Sequence, residues 1–282
     1  MLHMNSMTFW ENARTFPSSG YNVALLLGRR EYTILPAVWQ MRRNCDAKTG
    51  KIKKYKARLN ADGLRMKKGE HYEMTYSPVT SWNSVRMLLT LTALHGWHTR
   101  QIDYVQAFTQ APIEKTLYMR VPAGVELECG SDPKDYVLKL HCNIYGQKQA
   151  GRVWNHYLVA KLIELGFQQL KVDECVFYRG KSLYVLCTDD SLIAGPDVEE
   201  IDQIIKDLSD KAKLAITVEG DLADFLGVSI DRRDDGTIHL SQPNLIQQIL
   251  KDLRLRGVRS ICTYFTAPGN NPGNQLASDT GT

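Results

Sequence analysis

Apolar residues recur at helical spacing in four stretches of the chain. Over 84–95, Val85, Leu88, Leu89 and Leu94 share one broad face with Thr92, which is the 3.6-residue period of an amphipathic helix. Ser81 or Asn83 stands where an N-cap is needed, and Gly96 stands where the helix must stop. Three more helices are predicted. One runs over 153–165, from Trp154, Leu158, Leu162 and Leu165, and stops at Gly166. The others are 199–208, from Ile201, Ile204, Ile205 and Leu208, and 244–253, from Leu245, Ile246, Ile249 and Leu253, entered through Pro243. Between them, 99–104 and 117–121 read as short strands. Two pairs of runs predict hairpins: 182–188 and 191–195 on either side of Asp189-Asp190, and 228–232 and 237–241 around Asp234-Asp235-Gly236. No internal repeat is visible. Helices interleaved with hairpins predict an α+β fold rather than a doubly wound sheet.

Composition narrows the class. With 282 residues, 43% hydrophobic and 23% charged, the chain can bury a sizeable core, and wholesale disorder is excluded. The exception is 266–282, rich in Gly, Pro, Asn, Ser and Thr with Leu276 as its one large apolar residue. It is predicted to be disordered, because it cannot bury enough surface to offset its ordering entropy. No apolar run approaches the roughly 18 residues of a membrane span, and the N-terminus lacks a basic-then-apolar secretory signal. The six cysteines, at 45, 129, 142, 175, 187 and 262, form no CxxC pair. Neither a zinc site nor a redox dithiol is suggested, and scattered thiols fit a reducing compartment.

Net charge, +4 overall, changes the picture once it is divided. Residues 28–68 hold 13 Lys and Arg against 3 Asp and Glu, a net of +10; the rest hold 22 against 28, a net of −6. A basic segment on an otherwise acidic chain fits a polyanion partner, and equally a solvated basic face.

The candidate chemistry lies in carboxylates. Asp189 and Asp190 are adjacent between two strand-like runs. Asp favours turns, so an ordinary polar turn is one reading. A turn needs only one acid, however, and like charges repel; a divalent-metal site is the other reading, since hard cations take carboxylate oxygens. Asp103, in RQIDYVQAF, ends a strand-like stretch ahead of a small helical pattern; it is either a helix cap or a third acid. Three acids around one point are costly without cations, and with two metals they suit in-line phosphoryl or nucleotidyl transfer.

These landmarks fall in a familiar order. YKARLNADG (55–63), YSPVTSWNSVR (76–86), IDYVQAF (102–108), LYMRVPAG (117–124), IYGQKQAGRVW (144–154), TDDSLIAG (188–195), FLGVSI (225–230) and HLSQPNLIQQIL (239–250) together make the sequence resemble the reverse transcriptase domain of copia-type LTR retrotransposon polyproteins. The resemblance implies an RNA-directed DNA polymerase on a right-hand α+β fold, with a ferredoxin-like antiparallel palm sheet. It implies a reverse transcriptase domain over 31–265, after a flank at 1–30. Fingers would occupy about 31–95 and 113–143, palm about 96–112 and 144–229, and a thumb-like part 230–265.

It further implies the roles of residues. The catalytic and metal-holding acids fall on Asp103, Asp189 and Asp190, with Asp103 and Asp189 as direct ligands and Asp190 in support. The cofactor would be two Mg²⁺ ions, or Mn²⁺, which lower the pKa of a primer 3′-hydroxyl and neutralise the departing pyrophosphate. Lys56 and Arg58 would face the triphosphate, as cations suited to phosphate oxygens. Phe108, five residues after the first acid, resembles a steric gate against a ribose 2′-hydroxyl; read alone it is a core phenylalanine. Tyr145, Gly146, Lys148 and Arg152 belong to the motif that packs on the incoming nucleotide, whereas Trp154 reads as core. Cys187 and Thr188 would touch the primer end.

The implied partners are dNTPs and an RNA or DNA template with its primer, not a membrane. The implied location is a cytoplasmic particle or the nucleus. RNase H and integrase regions of a full polyprotein have no counterpart here, so the chain reads as a fragment. Four positions depart from the family pattern: Cys187 replaces an aromatic, Gly151 a proline, Gln147 a leucine and Thr109 a leucine. Cys187 and Gly151, with the missing downstream regions, motivate the alternative of an inactive nucleic-acid-binding remnant. An unrelated two-metal phosphodiesterase would explain the acids but neither Phe108 nor the basic segment.

Overall fold

The computed structural model describes residues 23–27, 33–45, 52–125, 132–233, 235–253 and 263–265. Most of the flank expected at 1–30 and the whole tail expected at 266–282 lie outside the described residues. In chain order come β1 (Val23–Leu27), β2 (Ile34–Leu35), β3 (Ala37–Cys45), β4 (Ile52–Ala61), α1 (Trp82–His95), β5 (His98–Tyr104), α2 (Ala107–Gln110) and β6 (Pro112–Arg120). Then follow β7 (Tyr136–Cys142), α3 (Ala150–Glu164), β8 (Gln168–Gln169), β9 (Val176–Arg179), β10 (Ser182–Cys187), β11 (Asp190–Gly195) and α4 (Val198–Asp210). Last are β12 (Ile216–Gly220), β13 (Asp224–Phe225), β14 (Val228–Arg232), β15 (Ile238–Ser241), α5 (Pro243–Asp252) and β16 (Thr263–Phe265). The mixture is α+β, as the alternation of helices and hairpins predicts.

Two compact units share the chain. The first takes Met1–Pro78 and Tyr104–Leu162. It holds a sheet in the order β1-β7-β6-β2 and the separate ribbon β3-β4. Its core gathers Leu35, Leu59, Met66, Met119, Leu138 and Ile144. On the ribbon, Gln40 pairs with Arg58, Arg42 with Lys56, Met41 with Ala57 and Trp39 with Leu59. Period-2 alternation therefore puts Arg42, Lys56 and Arg58 on one face and Trp39, Met41, Arg43, Tyr55 and Leu59 on the other. Like charges directly opposite repel, so a polyanion across the first face would relieve the Arg42–Lys56 pair.

The second unit takes Val79–Asp103 and Ile163–Thr282. Its main sheet runs β12-β5-β11-β10-β9-β8, beside a smaller one ordered β13-β14-β15-β16. β10 and β11 are buried almost throughout, which is why they read as continuous apolar runs. On one side of them lie Val85, Leu88 and Leu89 of α1, with Leu222, Phe225 and Ile230 in the same core. Of the two candidate caps, Ser81 is the one used: its side chain accepts from Asn83 N, and Gly96 closes the helix in the left-handed conformation (φ 64°).

A buried carboxylate braces this unit. Asp207 on α4 is 4% exposed and accepts from Arg179 Nη1, Gln203 Nε2 and Lys211 Nζ, each at 2.9 Å. Burial alone would push its carboxyl up, but the hydrogen bonds from Lys211, Gln203 and Arg179, and the charge of Arg179, hold it at about 2 against an ordinary 3.8. Because the folded value is depressed, the contribution is present above the unfolded value and is lost as pH falls from about 4 toward 2. Asp207→Asn is expected to cost about 3 kcal/mol at pH 7, because it leaves the Arg179 guanidinium unbalanced. It should also flatten the acid limb of stability; urea denaturation at pH 7 and pH 3 checks both.

Candidate active site

The acids meet in the second unit. β10 and β11 form a hairpin in which Cys187 pairs with Asp190, and β11 pairs with β5 so that Asp190 faces Asp103. Directly paired residues project to the same face of a sheet. Cys187, Asp190 and Asp103 are therefore neighbours in a row across three strands, with Cβ atoms of adjacent members about 5 Å apart. The loop is Thr188-Asp189, one residue earlier than the expected Asp189-Asp190. The reason is conformational: a two-residue hairpin loop needs a positive φ at its start, Thr188 supplies it at 51°, and Asp190 joins the ladder.

Electrostatics at this row is unfavourable to charge. Burial, then Asp103, then Glu219 on β12 raise the Asp190 carboxyl above its ordinary value. Burial, with Asp190, Cys175 and Asp189 behind it, pushes the Cys187 thiol up to about 11, so it is not a thiolate nucleophile at neutral pH. Asp189 Oδ1 is a buried oxygen that accepts no hydrogen bond, although the residue makes other interactions. Among the described residues, no three His, Cys, Asp or Glu side chains gather tightly enough to hold a metal ion. The donor set nonetheless fits a hard dication: the acids supply carboxylate oxygens, and two of them face each other at a cost that positive charge would offset. Sequence reasoning missed Glu219. It sits on an exposed strand with no periodic or motif signal to mark it.

The remaining candidates lie in the first unit. Phe108 on α2 and Tyr145 have ring centroids 4.9 Å apart, and the Arg58 guanidinium lies 4.9 Å over the same Tyr145 ring. Lys56, two residues before Arg58, is exposed on the ribbon's cationic face. Lys148 Nζ donates to the Met66 carbonyl at 3.2 Å, and Arg152 Nη1 binds Glu114 at 3.0 Å; both cations already have protein partners. Gly146 lies tight against the protein's own backbone: a Cβ there would lie 2.2 Å from the Ala61 carbonyl oxygen. Gln147, in place of the expected leucine, is buried with its Oε1 accepting from Ile144 N at 3.2 Å. Trp154 is core, 1% exposed and edge-on to Tyr104.

Gly151, in the first turn of α3, has nothing within 4 Å of where a Cβ would sit. Gly151→Ala is expected to stabilise the protein by about 0.5–1 kcal/mol through lower unfolded-state entropy. A higher melting temperature is the readout.

An α+β protein with carboxylates on adjacent strands of an antiparallel sheet has the make-up of a polymerase fold. The family model "Reverse transcriptase (RNA-dependent DNA polymerase)" matches residues 25–267, and the chain belongs to that family. It is similar to the Retrovirus-related Pol polyprotein from transposon RE2 of Arabidopsis thaliana, at 34% identity over 218 residues, 76% of this chain and 15% of that one. It is also similar to the Retrovirus-related Pol polyprotein from transposon TNT 1-94 of Nicotiana tabacum, at 29% identity over 232 residues, 80% of this chain and 17% of that one. The chain thus spans well under a fifth of the length of these relatives. Among solved structures, a foamy viral protease-reverse transcriptase in complex with double-stranded DNA matches 82% of this chain and 36% of its own, with 15% identity and a TM-score of 0.47. No helix among the described residues is long and apolar enough to cross a membrane.

Proposed function

We propose that the chain is the polymerase core of a copia-type element and adds deoxynucleotides to a primer 3′-hydroxyl on an RNA or DNA template. The observation that carries this is the facing of Asp103 and Asp190 beside the Asp189 turn, in a chain of the reverse transcriptase family. Asp103 and Asp189 would hold divalent metal, Mg²⁺ or Mn²⁺, and Asp190 would support them. When bound, two such ions would supply Lewis acidity to the attacking hydroxyl and the leaving pyrophosphate. Lys56 and Arg58 would neutralise phosphate oxygens, with Arg58 steadied by Tyr145. Gly146 would hold the Tyr145 loop on the β4 strand end. Lys148 and Arg152 would reach phosphates only by leaving Met66 and Glu114. Cys187 and Thr188 would lie at the primer end.

The division into fingers (31–95, 113–143), palm (96–112, 144–229) and thumb-like part (230–265) belongs to the same proposal. So do RNase H and integrase regions elsewhere in a full polyprotein, and residence in a cytoplasmic particle or the nucleus. Phe108 would exclude the ribose 2′-hydroxyl; Phe108→Ala is expected to raise ribonucleotide incorporation relative to deoxynucleotide by roughly tenfold or more in single-nucleotide incorporation assays. The test of the whole reading is extension of oligo(dT) on poly(rA) with Mg²⁺ and dTTP. Template-dependent extension is expected, abolished by EDTA; salt-sensitive primer–template binding without extension would replace the reading with an inactive binding remnant.

A further inference from the structure

The strand that leads into the acid turn loses its neighbour one residue early. β9 begins at Val176, which pairs with Val185 on β10. Leu186, the next residue of β10, donates its N–H to the Cys175 carbonyl at 2.8 Å. Its own carbonyl points toward the same side, where β9 has no strand donor left. That carbonyl instead accepts a buried hydrogen bond from the Thr80 hydroxyl. Thr80 is 8% exposed and immediately precedes the Ser81 cap of α1.

A second tie holds the same corner. Asp173 accepts from Cys175 N at 2.9 Å through Oδ1, and from Ser81 N at 3.3 Å and the Ser84 hydroxyl through Oδ2. Cys175 and Thr80, which hold the N–H and the carbonyl of Leu186, are thus joined to each other through Asp173 and the start of α1. Immediately beyond that peptide are Cys187, the left-handed Thr188 (φ 51°), Asp189 and Asp190. A non-glycine residue at positive φ persists only where its surroundings hold it. Buried backbone carbonyls also require a partner, so the Thr80 hydroxyl is the group that completes this one.

We propose that Thr80 is a positioning residue for the acid turn. Its hydroxyl stands in for the missing strand donor to the Leu186 carbonyl and keeps Thr188 left-handed, so that Asp189 and Asp190 keep their places. This gives a role to the YSPVTSWNSVR segment and rests on the polymerase reading.

The experiment compares Thr80→Val, which keeps the shape and loses the donor, with Thr80→Ser, which keeps the donor. The first readout is amide hydrogen exchange. Thr80→Val is expected to speed exchange over 186–190 by about tenfold, with Ala194 and α4 unchanged, and Thr80→Ser to match the wild type. The second is primer extension: kcat should fall roughly 10- to 100-fold with KM for dNTP unchanged, as for a displaced catalytic group, and serine should restore it. Exchange that is unaltered, or speeded uniformly across the sheet, overturns the proposal. Local loosening with full kcat also overturns it, reducing Thr80 to a structural bond. A wild-type protein that extends no primer would sink the polymerase reading instead, and the exchange comparison then decides alone whether Thr80 holds the turn.

Discussion

Replacing Asp103 by asparagine is expected to lower template-directed primer extension by about a thousandfold, several kcal/mol of charge stabilisation, while leaving the protein folded. Asparagine has the shape of aspartate, so β5 keeps its ladder with β11, including Ile102 opposite Ser191. What disappears is one of the two facing negative charges, and with it the oxygen pair that suits a hard cation. Stability separates this outcome from misfolding. Asp190 is raised first by its burial, then by Asp103 and Glu219. A carboxyl with a raised folded value binds its proton more tightly in the folded protein, so it favours folding in acid, and that contribution falls as pH rises through the folded value. Removing the Asp103 charge relaxes part of this penalty. The variant should therefore melt at or above the wild-type temperature at neutral pH. Lost activity together with a lower melting temperature would assign the defect to folding.

Gly146→Ala is expected to destabilise the protein by about 3 kcal/mol or more, the largest structural effect of the substitutions considered. Gly146 has φ +85°, and a Cβ there would lie 2.2 Å from the Ala61 carbonyl oxygen. The clash has no flexible side chain to absorb it: Ala61 N is bonded to the Tyr145 carbonyl at 2.9 Å. Gly63, in the short 3-10 turn just past β4, closes the crossing from the other side, with its own Cβ position 2.1 Å from the Gly146 carbonyl oxygen. Forcing the two backbones apart would also shift Tyr145, and with it the ring contacts to Phe108 and Arg58. Thermal denaturation of Gly146→Ala beside Gly151→Ala makes the contrast sharp, because two glycines five residues apart are expected to move in opposite directions.

Much of this was legible in the residues. α1 has a full apolar stripe and readable caps, and α4 a full apolar stripe, so their bounds shift by only a few residues. β10 and β11 announce themselves by continuous apolar runs around two acids. The β3–β4 ribbon was not legible: its strands are dense in Lys and Arg, and half of its alternating pattern is exposed, so charge hides the period. The acid loop lies one residue early because Thr188, with no glycine to signal it, takes the positive φ. The backbone crossing at Gly146 was not legible, because its partner, Ala61, is 85 residues away in sequence. Glu219 reaches Asp190 across strands that sequence does not pair and carries no local signal, whereas Thr80 lies in the YSPVTSWNSVR landmark, but nothing local shows that its partner is Leu186.

The central claim is that this chain performs metal-dependent nucleotidyl transfer through its three acids. The most direct measurement is dTTP incorporation on poly(rA)/oligo(dT) with Mg²⁺ by the wild-type protein and by Asp189→Asn, each shown to be folded. Template-dependent incorporation by the wild type, reduced to background in the variant, is the predicted result. Equal incorporation by both proteins, or none by the wild type despite tight primer–template binding, would contradict it.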